Sequence, residues 1–340
     1  KGYVYPSYWL TSATGRTRSS GFNAQNLPGR FYDGPFEGIA VRDMFCAPEG
    51  YVLVGSDVSQ GELRLMAHIT KDPVLMEAYL AWFCNTCKTT GQSAEILHEC
   101  PNCGAEENKH IVSKNVPGFY HGRDLHQNTY EKVEAISSRS DAKALNFLVI
   151  YGGTGYRLNA MHPSKSREEW DEIANAWLDV HAGVRKFHEK TQRDMRPAKM
   201  QPMETWSYRH RRMVETKGII VKDLLGRKRR IPREDLVSKD GKNLHKHVLN
   251  QLLNFPAQSS LCSLCQIAMT KFRKEMWDLG IWMKEVRPTL FVHDEVILTV
   301  KEEYAEEVGA RLQWHLENAV KLAVPIRSEV SIAKSLGSLK

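Results

Sequence analysis

The chain has no apolar run approaching the ~18 residues of a membrane span, and its N-terminus lacks the charged-then-apolar layout of a secretory leader. The sequence therefore predicts no membrane partner and a cytoplasmic setting, such as a nucleoid or a phage-infected cell. Internal repeats and low-complexity tracts are missing too, which excludes a solenoid and argues against a disordered arm. Charge of one sign is scarce in excess: 47 basic against 40 acidic residues leave a net +7, mild enough to suit a polyanion partner without demanding one. What is present is ordinary for a soluble globular protein. The 340 residues are 42% hydrophobic and 26% charged, enough for one large domain or two ordinary ones. The opening "KGYVYPSYWL" reads as the middle of a domain, so a piece of a longer protein is expected.

Period and punctuation sketch the elements. Residues 14–30, rich in Gly, Ser and Asn, read as loop with short extended pieces. "YVLVGSD", 51–57, reads as a strand running into a helix with Leu63, Met66 and Ala67 on its apolar side. Ser59 and Glu62 have the spacing of a capping box at its start. "RDLHQNTYEKV" and "SSRSDAKALNFLVIYGG" read as helices, the second with serines to cap it and glycines to end it. Helical patterns continue over 168–195. A basic, irregular stretch follows, and then "GIIVKDLLGRKRRIP" reads as a hairpin around Leu225–Gly226. A long helix around 243–278, a strand pair around 286–300, a helix at 302–321 and a strand at 324–333 complete an α+β chain. Its end strands must meet to form a sheet.

That meeting bears on "LFVHDEVILTV", 290–300, where His293, Asp294 and Glu295 interrupt an apolar strand. Ionised carboxylates there need water, a partner or a metal. Asp57, closing the first strong strand, could approach Asp294. Neighbours on a strand face opposite sides, so only one of Asp294 and Glu295 can share a site with Asp57. Two hard cations about 3.5–4 Å apart between such carboxylates form a nucleotidyl-transfer device, and magnesium is content with few protein ligands. In the helix at 137–152, Arg139, Lys143, Phe147 and Tyr151 recur every four residues, each step advancing about 400°, so they drift slowly around one face. Arg139 lies in the first turn, where phosphate is favoured. An amphipathic helix with two solvated cations and two core aromatics would show the same spacing.

"DVSQGELRLMAH", "RSDAKALNFLVIYGG" and "FVHDEVILTV" resemble, in order, the three polymerase motifs of family A DNA polymerases, the group of bacterial DNA polymerase I. "TGRTRSSGFNAQNLP", "MFCAPEGYVLVGSD", "NFPAQSS" and "LAVPIRSEV" extend the resemblance to nearly the whole chain apart from 80–121 and about 196–217. It implies a right-hand palm with an antiparallel sheet, over 1–79 and 251–340, and helical fingers over 122–250. It implies Asp57 and Asp294 as ligands of two magnesium ions, with the Val58 carbonyl beside them and Glu295 as an auxiliary acid. Arg139, Lys143, His126, Phe147, Tyr151, Glu62 and Gln60 would meet the incoming dNTP. Among these, Lys143 would act as general acid and Glu62 would block a ribose 2′-hydroxyl. Arg16, Gln258, His293 and Asn254 would contact primer-template DNA. Val58 stands where the family has tyrosine, Gly61 where it has isoleucine, and Leu148 where it has glycine. The glycine at 61 implies lost packing at the nucleotide pocket and relaxed nucleotide selection. The resemblance also places a thumb, and usually an exonuclease domain, before the start of this sequence. A separate subunit carrying them, or a longer chain, is expected.

The insertion at 80–121 carries Cys84-x2-Cys87 and Cys100-x2-Cys103, the spacing of a zinc ribbon with structural Zn2+. His98 and His110 are spare candidates that four cysteines make unnecessary. Cys262 and Cys265 share the Cys-x-x-Cys pattern but sit in an apolar helix, where small buried core residues are the better reading. Arg193, Arg196, Lys199, Arg209, Arg211, Arg212 and Lys217, with Trp206 and Tyr208, suit single-stranded template or a solvated loop equally. Two other functions compete with a DNA polymerase. One is a related single-chain RNA polymerase, against which Glu62 argues. The other is a catalytically retired polymerase fold serving as a DNA-binding subunit, against which the joint presence of Asp57, Asp294, Arg139 and Lys143 argues.

Overall fold

The computed structural model describes residues 2–10, 12–28, 41–107, 118–122, 124–133, 136–153, 155–161, 163, 165–196, 199–207, 211–236 and 246–339. Its first strands are β1 (Ser7–Trp9), β2 (Arg18–Ser20) and β3 (Tyr51–Val58), followed by α1 (Gly61–Thr70) and α2 (Pro73–Leu80). Three short strands, β4 (Ala81–Cys84), β5 (Thr89–Gln92) and β6 (Phe119–His121), come next. The helices α3 (Leu125–Lys132), α4 (Arg139–Ile150), α5 (Gly155–Met161), α6 (Arg167–Val180) and α7 (Ala182–Asp194) follow. Then come β7 (Gln201–Ser207), β8 (Arg212–Lys222), β9 (Lys228–Pro232), α8 (Arg233–Leu236) and α9 (Lys246–Asp278). The chain closes with β10 (Val286–Val292), β11 (Glu295–Lys301), α10 (Ala305–Glu317) and β12 (Ser328–Ala333). It divides into two units: Lys1–Gly61 with Ser259–Leu322 and Ile326–Lys340, and Glu62–Gln258 with Ala323–Pro325.

The first unit is built on a four-stranded sheet in the order β10-β11-β3-β12, every neighbour antiparallel. The end strands do meet. Val54, Val58, Val296 and Leu298 are buried on one face of the sheet, and α10 lies across it. Gly309 permits that approach, since a Cβ there would stand 2.9 Å from Val330 Cγ1. On the other face Leu53 and Ile297 pack with Ala47, Leu336 and Leu339. Alternation along β3 therefore buries both sides, as a central strand requires.

The second unit holds three pieces of different composition. The sheet β5-β4-β6 encloses a small core of Trp82, Cys84, Cys100 and Phe119. The sheet β7-β8-β9 buries Ile219 and Ile231 with Met195, Leu236, Val248 and Leu252. Between them in sequence run α3 to α7, whose largest buried side chains are Leu125, Leu145, Trp170 and Trp177. Asp72 ties α2 to α7. It caps α2 by accepting the N–H groups of Val74 and Leu75, and it accepts the Gly183 N–H at the start of α7. His181 Nδ1–H donates to the same carboxylate at 3.1 Å, with both side chains buried.

Several local expectations need correction. "LFVHDEVILTV" is a hairpin rather than one strand: Val292 pairs with Glu295, and His293 and Asp294 form the turn. His293 takes φ +59°, which a two-residue turn needs if its twist is to match the strands it joins. The stretch after 196 is regular, because 201–207 pairs in register with 212–218; Tyr208 and Arg209 lie outside the described residues. The helix that follows Ser59, α1, begins at Gly61 behind Gln60 at φ +51°. The helix foreseen at 302–321 starts as a 3-10 turn and ends at Glu317, and the last strand begins at Ser328.

Burial raises the Asp72 pKa, but the His181 contact and the Leu75 and Gly183 N–H groups outweigh it and hold it below the usual carboxylate range. That contribution to stability is full above the unfolded carboxyl value near ~3.9 and fades as pH falls through the lower folded value. Asp72→Ala should cost about 2–4 kcal/mol in urea unfolding at pH 7, because it leaves the buried His181 ring without its acceptor and removes a helix cap.

Candidate active site and cysteine cluster

In the first unit the acids gather on β3 by register. Asp57 stands opposite Glu295 of β11 on one side and Glu329 of β12 on the other. Paired residues of an antiparallel ladder project to the same face, so Glu295, Asp57 and Glu329 form a row across the sheet. Glu295, not Asp294, is thus the acid in register with Asp57; Asp294 sits one residue away in the hairpin turn. Glu295 is 7% exposed and Asp57 is half-buried. Glu329 escaped the sequence reading because nothing local marks it; only the strand pairing brings it to Asp57.

Beside the row lies Cys265, fully buried on α9. Burial pushes its thiol pKa up, and the negative charges of Asp294 and Asp57 push it further. Cys262, one turn earlier and also buried, donates from Sγ to the Gly15 carbonyl at 3.0 Å, and Gln266 Nε2 donates to the same oxygen. The Ser12 hydroxyl donates to the Arg16 carbonyl, so the loop carrying Arg16 is held at both ends. Gln25, another residue the sequence reading passed over, donates from Nε2 to the Phe291 carbonyl and accepts the Ser19 N–H. It thereby ties the N-terminal loop to the strand that leads into exposed His293. Gln60 is half-buried beside Gly61.

The second unit carries the basic and aromatic set. Ser138 caps α4 by accepting the Asp141 N–H, which places Arg139 in the first turn. Arg139 grips Asp124 Oδ2 with Nε at 2.7 Å and a terminal nitrogen at 2.6 Å. The other oxygen of Asp124 accepts the N–H groups of His126 and Gln127 and caps α3. One carboxylate therefore sets Arg139 against His126. Lys143 is exposed one turn on, and the Phe147 ring lies 5.6 Å from the His126 ring. Tyr151, at the end of α4, donates its hydroxyl to Glu62 in a short hydrogen bond. Glu62 thus holds the Tyr151 hydroxyl at the end of α4. On α9, Gln258 is half-buried, and Asn254 Oδ1 is buried without a hydrogen-bond partner among the described residues. An acceptor left so costs about 1–3 kcal/mol unless something donates to it.

The four cysteines of the insertion come together. All four sulphurs lie within 4.8 Å of one another, with Cys84 to Cys103 at 3.7 Å and Cys87 to Cys100 at 3.6 Å. Those spacings are far beyond a disulfide bond of about 2.05 Å. They match the edge of a sulphur tetrahedron, about 3.8 Å for bonds of about 2.3 Å to zinc. Burial raises the Cys100 pKa, but the backbone N–H groups of Asn102 and Cys103 outweigh it and bring the thiol to about 6. The Ala105 N–H lowers that of Cys103, yet burial and the other three sulphurs push it to about 12. A bound cation would relieve that repulsion. Among the described residues no other group of potential ligands is closed to this degree. His98 pairs with Glu107 instead, and His110 lies outside the described residues.

The sequence profile of DNA polymerase family A matches residues 1–88 and 113–338, leaving out most of the cysteine-rich insertion. The chain belongs to DNA polymerase family A. It is 27% identical to a DNA polymerase I of Pseudomonas aeruginosa over 98% of its own length and 30% of that protein's. Against a thermostable DNA polymerase I of Thermus aquaticus the identity is 29%, covering 97% of this chain and 32% of the relative. The chain therefore spans about a third of the length of these relatives. Among solved structures it resembles the polymerase domain of Pol1 from M. smegmatis, itself in complex with a DNA primer-template and a dNTP. The TM-score is 0.69 at 23% identity, over 99% of this chain and 48% of that one, which supports the α+β polymerase fold. Among the described residues no helix is long and apolar enough to cross a membrane.

The departure at Gly61 is filled rather than hollow. A Cβ there would meet Leu261 Cδ1 at 2.7 Å and Val58 Cγ1 at 2.9 Å, so the neighbours already occupy the space of the missing side chain. The expected loss of packing does not occur. Gly61→Ile should therefore destabilise the protein by about 1–3 kcal/mol in urea unfolding through overpacking, and Leu261→Ala in the same chain should recover part of that loss.

Proposed function

We propose that the chain is the palm and fingers of a template-directed DNA polymerase. It would add deoxynucleotides to a primer 3′-hydroxyl with release of pyrophosphate. The observation that carries this reading is the row Glu295–Asp57–Glu329 with Asp294 in the adjoining turn, set in a family A chain. Hard carboxylate oxygens are the donors magnesium prefers. Asp57 and Asp294, with the Val58 carbonyl, would hold two such ions, and Glu295 would support them. Bound there, the ions would lower the pKa of the primer hydroxyl and neutralise charge on the departing phosphates. Arg139 would exchange Asp124 for a triphosphate oxygen, His126 would donate to the same group, and Lys143 would protonate the leaving pyrophosphate. Phe147 and Tyr151 would stack on the nucleotide, and Gln60 would line its site. Glu62, held by Tyr151, would exclude a 2′-hydroxyl and so favour dNTPs over ribonucleotides. Arg16, Asn254, Gln258 and His293 would contact the primer-template, and the buried Asn254 acceptor suits a donor on the DNA.

The cysteine cluster we read as a structural zinc site closed by Cys84, Cys87, Cys100 and Cys103, as the sulphur spacing supports. One zinc per chain is expected by elemental analysis. Cys100→Ser should bind it at least ~100-fold more weakly and lower the melting temperature, because metal affinity at such a site is folding energy.

Primer extension with magnesium and dNTPs tests the main reading. The parent should extend a labelled primer, and Asp294→Ala, folded by circular dichroism, should lose about 10³-fold or more in rate. Equal rates in parent and variant would remove Asp294 from the chemistry. Extension only when a duplex-gripping subunit is supplied would assign the chain to a split polymerase.

A further inference from the structure

Buried beneath α3 and α4 is a polar contact set in which one unambiguous donor decides every other role. Trp177 Nε1 carries a hydrogen and nothing to accept with, and it lies 2.8 Å from Asn146 Oδ1. That contact fixes which end of the Asn146 amide is oxygen. The Thr129 hydroxyl lies 3.1 Å from the same oxygen and 2.8 Å from the Leu125 carbonyl, which its one hydrogen also reaches, so Trp177 alone makes the assignment. The amide nitrogen must then face the other way, and it lies 3.0 Å from His126 Nδ1. An amide nitrogen only donates, so Nδ1 must be the acceptor and the ring proton must sit on Nε2. Asn146 is fully buried and His126 is 3% exposed, so water has little access to reverse the assignment. No partner for Nε2 appears among the described residues.

We infer that Asn146 is a positioning residue for nucleotide binding, one that locks His126 as a neutral Nε2–H donor for a triphosphate oxygen. The opposite tautomer would present a lone pair to the anion and repel it. Charge on the ring is resisted from its surroundings. Burial is the largest influence; Asp124 favours protonation, Arg139 and Lys143 oppose it, and the imidazole pKa falls to about 4. The ring thus donates without gaining or losing a proton anywhere near neutrality. Beyond Trp177 the same set continues to the pinned helix ends, because the Trp177 ring lies 3.8 Å from that of His181, the partner of Asp72. The orientation of His126 therefore depends on α6 and on the start of α7 as well as on its own helix. This inference rests on the reading that His126 meets the triphosphate.

Nitrogen-15 spectra of the imidazoles test it in the parent chain with no substitution. His126 should show a neutral Nε2–H ring throughout pH 6–8. An Nδ1–H ring, or titration near the ordinary histidine value of about 6.5, would overturn the inference. Asn146→Asp adds a second arm. The carboxylate still accepts from Trp177 but can no longer donate, so the ring must carry its proton on Nδ1. In that variant the KM for dNTP in primer extension should rise about tenfold from pH 6 to 8 as the doubly protonated ring gives way to Nδ1–H, while the parent changes less than about twofold. A uniform loss at every pH would indicate scaffolding alone and overturn the positioning role. A variant ring that stays Nε2–H would overturn the part given to Asn146. A ring that switches while KM stays flat would instead refute the contact between His126 and the triphosphate, on which the inference rests.

Discussion

Everything in the first unit depends on β3 being a central strand. Both of its edges are paired, its two faces are covered, and the acid at its end is held between acids on each neighbour. The backbone ladder enforces this arrangement. Val296, Leu298, Val54 and Val330 must stay on the α10 side, and a one-residue slip would turn them out. Register secured by apolar burial therefore dictates that Glu295, Asp57 and Glu329 share the other face. That shared face is the one on which we propose the divalent cations are held.

A comparable economy governs the second unit, where the proposed nucleotide-binding groups are presented by helix ends. Asp124 caps α3 and holds Arg139, Ser138 caps α4, and Asp72 caps α2 while holding α7. Each cap satisfies backbone N–H groups that need partners in any case, and in doing so fixes where a functional side chain begins. The buried contacts of Asn146 with Trp177 and His126 extend that control from position to protonation state. A polar set enclosed to this degree tolerates one arrangement of donors and acceptors, because an unsatisfied member is costly.

Much of this was legible in the sequence, for identifiable reasons. Strand β3, helix α4 with its serine cap and glycine stop, and the hairpin around Gly226 follow from local period and punctuation, which act over a few residues. The two Cys-x-x-Cys pairs were readable because ligand spacing within a knuckle is local as well, and the sulphurs do converge. The readings that failed were those in which context overrode pattern. His293 and Asp294 became a turn because β11 pairs back on β10. The stretch after 196 became a regular sheet because 201–207 pairs with 212–218. The apparent void at Gly61 was filled by Leu261, a neighbour supplied by a distant helix.

By itself the sequence determined the family, the order of its motifs, the inventory of acids, cations and aromatics, and the cysteine pairs. Such features are carried by residue type and short spacing, which folding does not alter. Only the tertiary structure decided that Glu295 and Glu329 flank Asp57, that Asp124 serves Arg139 and His126 together, and that Asn146 can make a single nitrogen of His126 the donor. Those assignments depend on which groups face each other across strands and helices far apart in the chain. Ladder register and the exclusion of water settle them, and neither can be read from one segment alone.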